Sequence, residues 1–295
     1  LGQEAGKRRT IARLIRLLDK AGCRVLVFDM AFPGTSTPDE DLELIQAAKA
    51  CNRLYLPVIV RPKTDPDDPI ASGLAGMENQ DLVIVPAVSD WGRIVSSAGL
   101  IRNLEGLDAV SAGVGHITCV PNRDGVYRHY NLIIRSGEGF IPSLALRVAC
   151  DLLQVRAELI EVHAGHYLLL PDARFPGGNP ADLRVPLGID GSIPVNYVGA
   201  WARSFPHYSL HRLLAAESQP RAWEALRGEL RDSIAIVADV STRAQDFGAS
   251  PLEQIYPNSG IHANVLNAFM TRSVLRQAGT TAQWILAGAM FLAIL

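Results

Sequence analysis

The sequence predicts an α/β fold: a mixed, largely parallel sheet flanked by helices, with an antiparallel hairpin. Three observations predict it. Short apolar runs, such as Val25-Leu-Val-Phe28 and Ile234-Ala-Ile-Val237, alternate along the chain with segments whose apolar residues recur at helical spacing. A strand–helix–strand order near the start calls for a parallel pair joined by a right-handed crossover. Finally, Pro121-Asn-Arg-Asp-Gly125 lies between two apolar runs, with a glycine available for positive φ, and reads as a hairpin turn.

Ile11, Leu14, Ile15 and Leu18 share one face of a helix over 9–20, which Gly22 stops. Arg24 to Phe28 reads as a buried strand ending at Asp29. Thr37-Pro-Asp-Glu40 is a helix start in which Thr37 caps, Pro38 suits the first turn and Glu40 reaches back as a capping box; the helix runs to about Lys49. Leu54 to Val60 is the second strand, and Pro57 pushes it toward a sheet edge. Residues 61–73, rich in Pro and Asp, form a loop, and 82–85 a short strand.

Strands over 116–120 and 126–135 flank the hairpin turn, in which Asp124 is a turn residue. A helix covers 142–154, and strands follow over 167–170, 183–186 and 193–198. Helices near 208–216 and 220–227 lead to the strand Ser233–Asp239, and an amphipathic helix covers 260–271.

Composition narrows the function. Of 295 residues 48% are hydrophobic and 20% charged, so the chain can bury a core, and a net charge of −2 without basic runs offers no nucleic-acid footprint. Cys23, Cys51, Cys119 and Cys150 are widely spaced among apolar neighbours and read as buried small hydrophobes; a Cys23–Cys51 disulfide is left open. The nine residues Leu1–Arg9 are neither a signal peptide nor a membrane span.

Trp284 to Leu295 is twelve residues without a charge. As a helix it would extend about 18 Å against a hydrocarbon core of about 30 Å. A buried terminal helix and a spanning helix cut midway both fit. Apolar residues on every side, with Trp284 at the near end, favour the second. Residues 1–279 are then an extracytoplasmic domain and 280–295 the start of a transmembrane helix, although Arg272 and Arg276 weakly oppose an outside placement.

Signatures of enzymes are missing: there is no phosphate loop, kinase signature, zincin helix or nucleophile elbow. Gly113-Val-Gly115 lacks a third glycine and opens a strand, and His163 and His166 have no companion ligands. No cofactor and no metal is expected.

More informative are two strand-end aspartates. Asp29 closes Val-Leu-Val-Phe and Asp239 closes Ile-Ala-Ile-Val-Ala, and open parallel sheets bind ligands beyond the carboxyl ends of their strands. If the strands are neighbours, Asp29 and Asp239 share a rim with Thr242 and Asp246 that suits a cation or an amine. The alternative is that each aspartate caps its own following turn.

In order and spacing the segments resemble the CHASE domain of the second type, an extracellular sensing domain associated with cyclases and histidine kinases. The residues that carry the resemblance are Phe28-Asp29 followed by Phe32, Pro38-Asp-Glu-Asp-Leu42, Gly115-His-Ile117, Asp124-Gly-Val-Tyr-Arg128 and Pro142-Ser-Leu-Ala-Leu146. Further on come Ile193-Pro-Val-Asn-Tyr197, Val237-Ala-Asp239 and Pro257-Asn-Ser-Gly-Ile-His-Ala-Asn264. The likeness covers about residues 10–275.

Ala238 stands where the family usually has a glycine, which puts a close backbone approach there in doubt. The resemblance implies an extracytoplasmic sensor followed by membrane helices and a cytoplasmic cyclase, kinase or diguanylate cyclase. Expected partners are a membrane, through the C-terminal helix, and an unknown small-molecule or protein signal; a homodimer is left open. With Phe32 of the Phe-Asp motif added, the candidate ligand-binding set is Asp29, Phe32, Asp239, Thr242 and Asp246. The competing functions are a soluble hydrolase or transferase using the strand-end carboxylates, and a structural dimerisation module.

Overall fold

The computed structural model of the chain describes residues 7–63, 93–137, 139–241 and 246–276, with Gly288, Met290 and Phe291. The expected strand at 82–85, most of the loop at 61–73, Thr242 and nearly all of 284–295 lie outside the described residues.

In chain order the elements are α1 (Lys7–Ala21), β1 (Val25–Phe28), α2 (Pro38–Cys51), β2 (Leu54–Pro62), β3 (Ser97–Ile101), α3 (Leu107–Val110) and β4 (Gly113–His116). Then come β5 (His129–Asn131), β6 (Ile133–Ser136), β7 (Gly139–Pro142), α4 (Leu144–Leu152), β8 (Glu161–His163), β9 (Tyr167–Ala173), β10 (Ala181–Pro186) and β11 (Ser192–Pro194). The last are α5 (Trp201–Ser204), α6 (Leu210–Ala216), α7 (Pro220–Leu230), β12 (Ile234–Val237), β13 (Phe247–Gly248), β14 (Tyr256–Pro257) and α8 (Ser259–Met270).

The main sheet runs β12-β1-β2, and β2 carries two partners on its far side: β4 parallel along Tyr55–Val58 and β3 antiparallel along Ile59–Pro62. The sheet is therefore mixed but largely parallel, as the alternation of strands and helices predicts. Side chains of β1 alternate between two cores. Leu26 and Phe28 pack with α1 and α2, including Ile11, Ile15 and Leu44. Val25 and Val27 pack on the other face with α4 and α8, including Leu144, Val148 and Val265. A strand buried on both faces needs a continuous apolar run, which is what β1 has. Each fully buried aliphatic side chain of this kind contributes about 1.5–3 kcal/mol relative to exposure.

Three local expectations need correction. First, β2 is internal and not an edge strand. Pro57 does leave a mark, because the β1–β2 register stops at Val27 opposite Tyr55: proline has no N–H with which to continue the ladder. The Asn103 amide fills the resulting split, donating to the Pro57 carbonyl at 2.9 Å while its oxygen accepts from the Phe32 amide at 2.8 Å.

Second, the strands around Pro121–Gly125 do not pair with each other. The turn forms, with Gly125 at φ 78° and its amide 2.8 Å from the Asn122 carbonyl, and Asp124 holds Arg128 at 2.8 Å. However, β4 is taken by β2 and β5 by β11, and antiparallel pairing of consecutive strands occurs elsewhere: in β6–β7, with Ile133 opposite Pro142, and in the three-stranded sheet β8-β9-β10.

Third, Thr37 makes no side-chain cap on α2. Asp41, inside the helix, reaches back past Thr37, its carboxylate accepting from the Ser36 amide at 2.9 Å and pairing with Arg8 of α1, while Glu40 is buried. The cysteines follow the reading as small hydrophobes: all four are free, with Cys23, Cys51 and Cys150 buried and Cys119 half-buried, and the pairing of Cys23 with Cys51 left open by the sequence is not made.

The Gly113-Val-Gly115 run has a packing role. A Cβ on Gly115 would stand 2.6 Å from the Leu144 backbone, and one on Gly113 would stand 2.7 Å from the Arg147 guanidinium. These glycines let the start of α4 rest directly on β4. Ser143 caps that helix, its hydroxyl accepting from the Leu146 amide at 3.2 Å.

Candidate functional site at the carboxyl rim of the sheet

Strands β1 and β12 are neighbours, paired in parallel from Val25 opposite Ile234 to Phe28 opposite Val237, and the Asp29 amide donates to the Val237 carbonyl at 2.8 Å. Asp29 is thus level with Ala238, and Asp239 lies one residue further on. Because strand side chains alternate, that offset of one turns the two carboxylates to opposite faces. Asp29 follows Val25 and Val27 toward α8, whereas Asp239 follows Ala235 and Val237 toward α1.

On the α8 face the Asp29 carboxylate is sealed in, with its side chain 3% exposed. Its Oδ1 lies 3.5 Å from Nε2 of His262, and its Oδ2 has no hydrogen-bond partner. Burial raises the Asp29 carboxyl above its ordinary value; His262 opposes this and the nearby Asp246 adds to it. The other ring nitrogen of His262, Nδ1, meets the Tyr130 hydroxyl at 2.8 Å. Tyr130 is fully buried, and burial pushes its hydroxyl well above the ordinary range.

His116, at the end of β4, completes the buried set. Neither ring nitrogen has a hydrogen-bond partner, and burial, with His262 nearby, pushes its pKa down to about 3. Cys119 lies close enough to Asp29 and Asp246 that their charges add to burial in raising its thiol.

Helix α8 is anchored by this cluster and by a second one. Asn264, fully buried, accepts from the Val198 amide at 2.9 Å and donates to the Tyr256 hydroxyl at 2.8 Å and the Gly260 carbonyl at 2.7 Å. Asp246 fixes the helix start through the Asn258 side chain at 2.7 Å and the Asn258 amide at 3.1 Å. Gly260 has no room for a side chain, since a Cβ there would meet Tyr256 at 2.5 Å and Trp201 at 3.0 Å.

Of the expected residues, the structure brings together Asp29 and Asp246. Phe32 is buried in the opposite core, its ring 6.3 Å from that of Phe28. Asp239 is half-exposed, and its Oδ1 accepts from the Ser241 amide at 3.0 Å; hydrogen bonds from Ser241 hold its carboxyl below the ordinary value. It caps its own turn. Reading strand ends for carboxylates does not find His262, His116 or Tyr130. The signal that points to two of them is the placement of Gly115-His116 and Gly260-Ile-His262, a histidine close behind a glycine that clears space for a neighbour.

Two covered faces, a largely parallel sheet and a rim of interior polar groups describe an α/β domain whose chemistry is directed inward, at one of its own helices. The CHASE2 domain model matches residues 2–295, and the chain belongs to that family. CHASE2 domains are extracytoplasmic, non-catalytic sensory parts of membrane signalling proteins. Among curated proteins and among solved structures nothing matches the chain.

Proposed function

We propose that this chain is the input domain of a membrane-bound signalling protein whose cytoplasmic output is a cyclase, a kinase or a diguanylate cyclase, and that α8 carries the signal. The observation that carries this reading is the double anchoring of α8. One helix is tied through His262 to the ends of β1 and to β5, and through Asn264 to the segment after β11. A change at the rim therefore has one rigid element to move, and an effector shifts it only in so far as it binds two placements of α8 unequally.

The chain beyond α8 supports a membrane connection. Met290 and Phe291 are helical and 65% and 66% exposed, an apolar surface that lipid would cover. Among the described residues no helix is long and apolar enough to cross a membrane. Asp239 and Asp246 are the two proposed ligand contacts on the described rim that are only half-buried.

The test is accessibility in the intact protein in its own cells. Leu275→Cys places a thiol at an exposed position just after α8, and a Cys119→Ser background removes the half-buried native thiol. Labelling by a membrane-impermeant maleimide without permeabilisation is expected. Labelling only after permeabilisation would put this domain on the cytoplasmic side and end the proposal.

A further inference from the structure

The other side of β12 offers a different kind of surface. Among the described residues no strand pairs with β12 beyond β1, so β12 is an edge of the described sheet. A cleft of about 740 Å³ runs along it, lined by all six consecutive residues from Ser233 to Ala238. Side chains of one strand alternate between faces, and here they do: Ile234 and Ile236 pack against one core, Ala235 and Val237 against the other. A cleft that touches every residue in turn is therefore running along the backbone edge and not along a face.

The ladder shows which groups that edge presents. The carbonyls of Ser233 and Val237 accept from Val25 and Asp29 of β1, and the parallel pattern assigns Ala235 to β1 as well. The amides and carbonyls of Ile234 and Ile236 point the other way, into the cleft. Unpaired strand edges are templates for another strand, and natural proteins usually guard them with charge or proline. Neither occurs in β12. The one carboxylate in the lining, Glu229, is held by Arg212 at 3.4 Å. Ser259, 3% exposed, lines the same cleft, and its hydroxyl has no partner.

We infer that the free edge of β12 is a peptide-binding site, which takes an extended, uncharged, largely apolar segment of another polypeptide as an added strand. Main-chain hydrogen bonds to Ile234 and Ile236 supply the common affinity, and the apolar walls select alternate side chains. The walls also decide against a second folded copy pairing edge to edge. Leu14, Leu18 and Leu213 rise on one side and Leu266 and Met270 of α8 on the other, so the edge lies in a trench. A strand that arrives alone fits there; a sheet carrying its own helices does not. Since α8 forms one wall, the peptide would touch the helix anchored at the rim, but the site stands on the edge geometry whatever the domain signals.

The probe is a set of short peptides selected from a random displayed library against the intact chain and then synthesised, with amide hydrogen exchange as the readout. In the free chain the amides of Ile234 and Ile236 should exchange fast and those of Ala235 and Val237 slowly. Saturating peptide should slow the first two by about tenfold or more and leave the others unchanged. Ile236→Pro deletes one outward amide without touching the β1 ladder, and should weaken peptide binding about tenfold. Failure to select any peptide, or selected peptides that bind without this alternating protection, would overturn the inference. So would alternating protection that appears without peptide and grows with chain concentration, which would assign the edge to a second copy.

Discussion

Asp29 and Asp239 end adjacent parallel strands, each after a run of aliphatic residues, and by pattern they are the same feature. In the folded chain they are opposites. Asp29 faces α8, is nine-tenths buried and stands 3.5 Å from His262. Asp239, one residue out of register, faces the α1 side, is half-exposed and closes a turn on the Ser241 amide. The one makes an interior tie to the helix that the proposed function depends on, and the other is local turn chemistry. What separates them is a single step of strand alternation, because a shift of one residue exchanges the two faces of a sheet.

That contrast can be broken at its strongest point first. His262→Ala should cost about 2–4 kcal/mol in urea unfolding, because it opens a cavity in the core and removes the imidazole that meets both the Tyr130 hydroxyl and the Asp29 carboxyl. A loss below about 0.5 kcal/mol would mean that the cluster does not hold α8.

Acid probes the same interior. His116 has its pKa lowered from 6.5 to about 3, so between those values the unfolded chain binds a proton that the folded chain does not. Stability should therefore fall on acidification by about 1.4 kcal/mol per pH unit from this group. Asp29, raised above 3.8, acts with the opposite sign and favours the fold as pH drops through its folded value. His116→Leu should flatten the profile between pH 6.5 and 3, and an unchanged slope would locate the acid sensitivity elsewhere.

The two aspartates can then be compared directly at neutral pH. Asp29→Asn should change stability by about 1 kcal/mol or less and in the stabilising direction, since the amide removes a charge that burial penalises. Asp239→Ala should destabilise by about 0.5–1 kcal/mol through its lost turn, with Asp239→Asn nearer wild type because an amide oxygen can still accept from Ser241. Thermal melts of the three variants sharpen the contrast, and equal losses from Asp29→Asn and Asp239→Asn would erase it.

Much of the fold was legible because its signals are local. The helical spacing of Ile11, Leu14, Ile15 and Leu18 is the buried face of α1, and the apolar run Val25–Phe28 is a strand buried on both faces. The order of glycines, histidines and strand ends was enough to suggest the CHASE2 family to which the chain belongs. Non-local pairing was not legible. Pro57 argued for an edge on local grounds, yet the ladder it interrupts is only the last step of β1–β2, and Asn103, forty-six residues away, receives its carbonyl. The turn at Pro121–Gly125 formed where it was expected, but its flanking strands found distant partners in β2 and β11.

The amino-acid sequence by itself determined the six longer helices and the strands β1, β2, β9, β10 and β12, that Asp29 and Asp239 follow β1 and β12, and that the chain folds as an α/β domain. Only the tertiary structure decided which carboxylate is buried, that His262 meets Asp29, and that among the described residues β12 pairs on one side alone. The physical reason is that periodicity specifies what a residue does within its own element. Register between strands far apart in the chain specifies which face it turns and what it touches, and that register is settled only when both cores are packed.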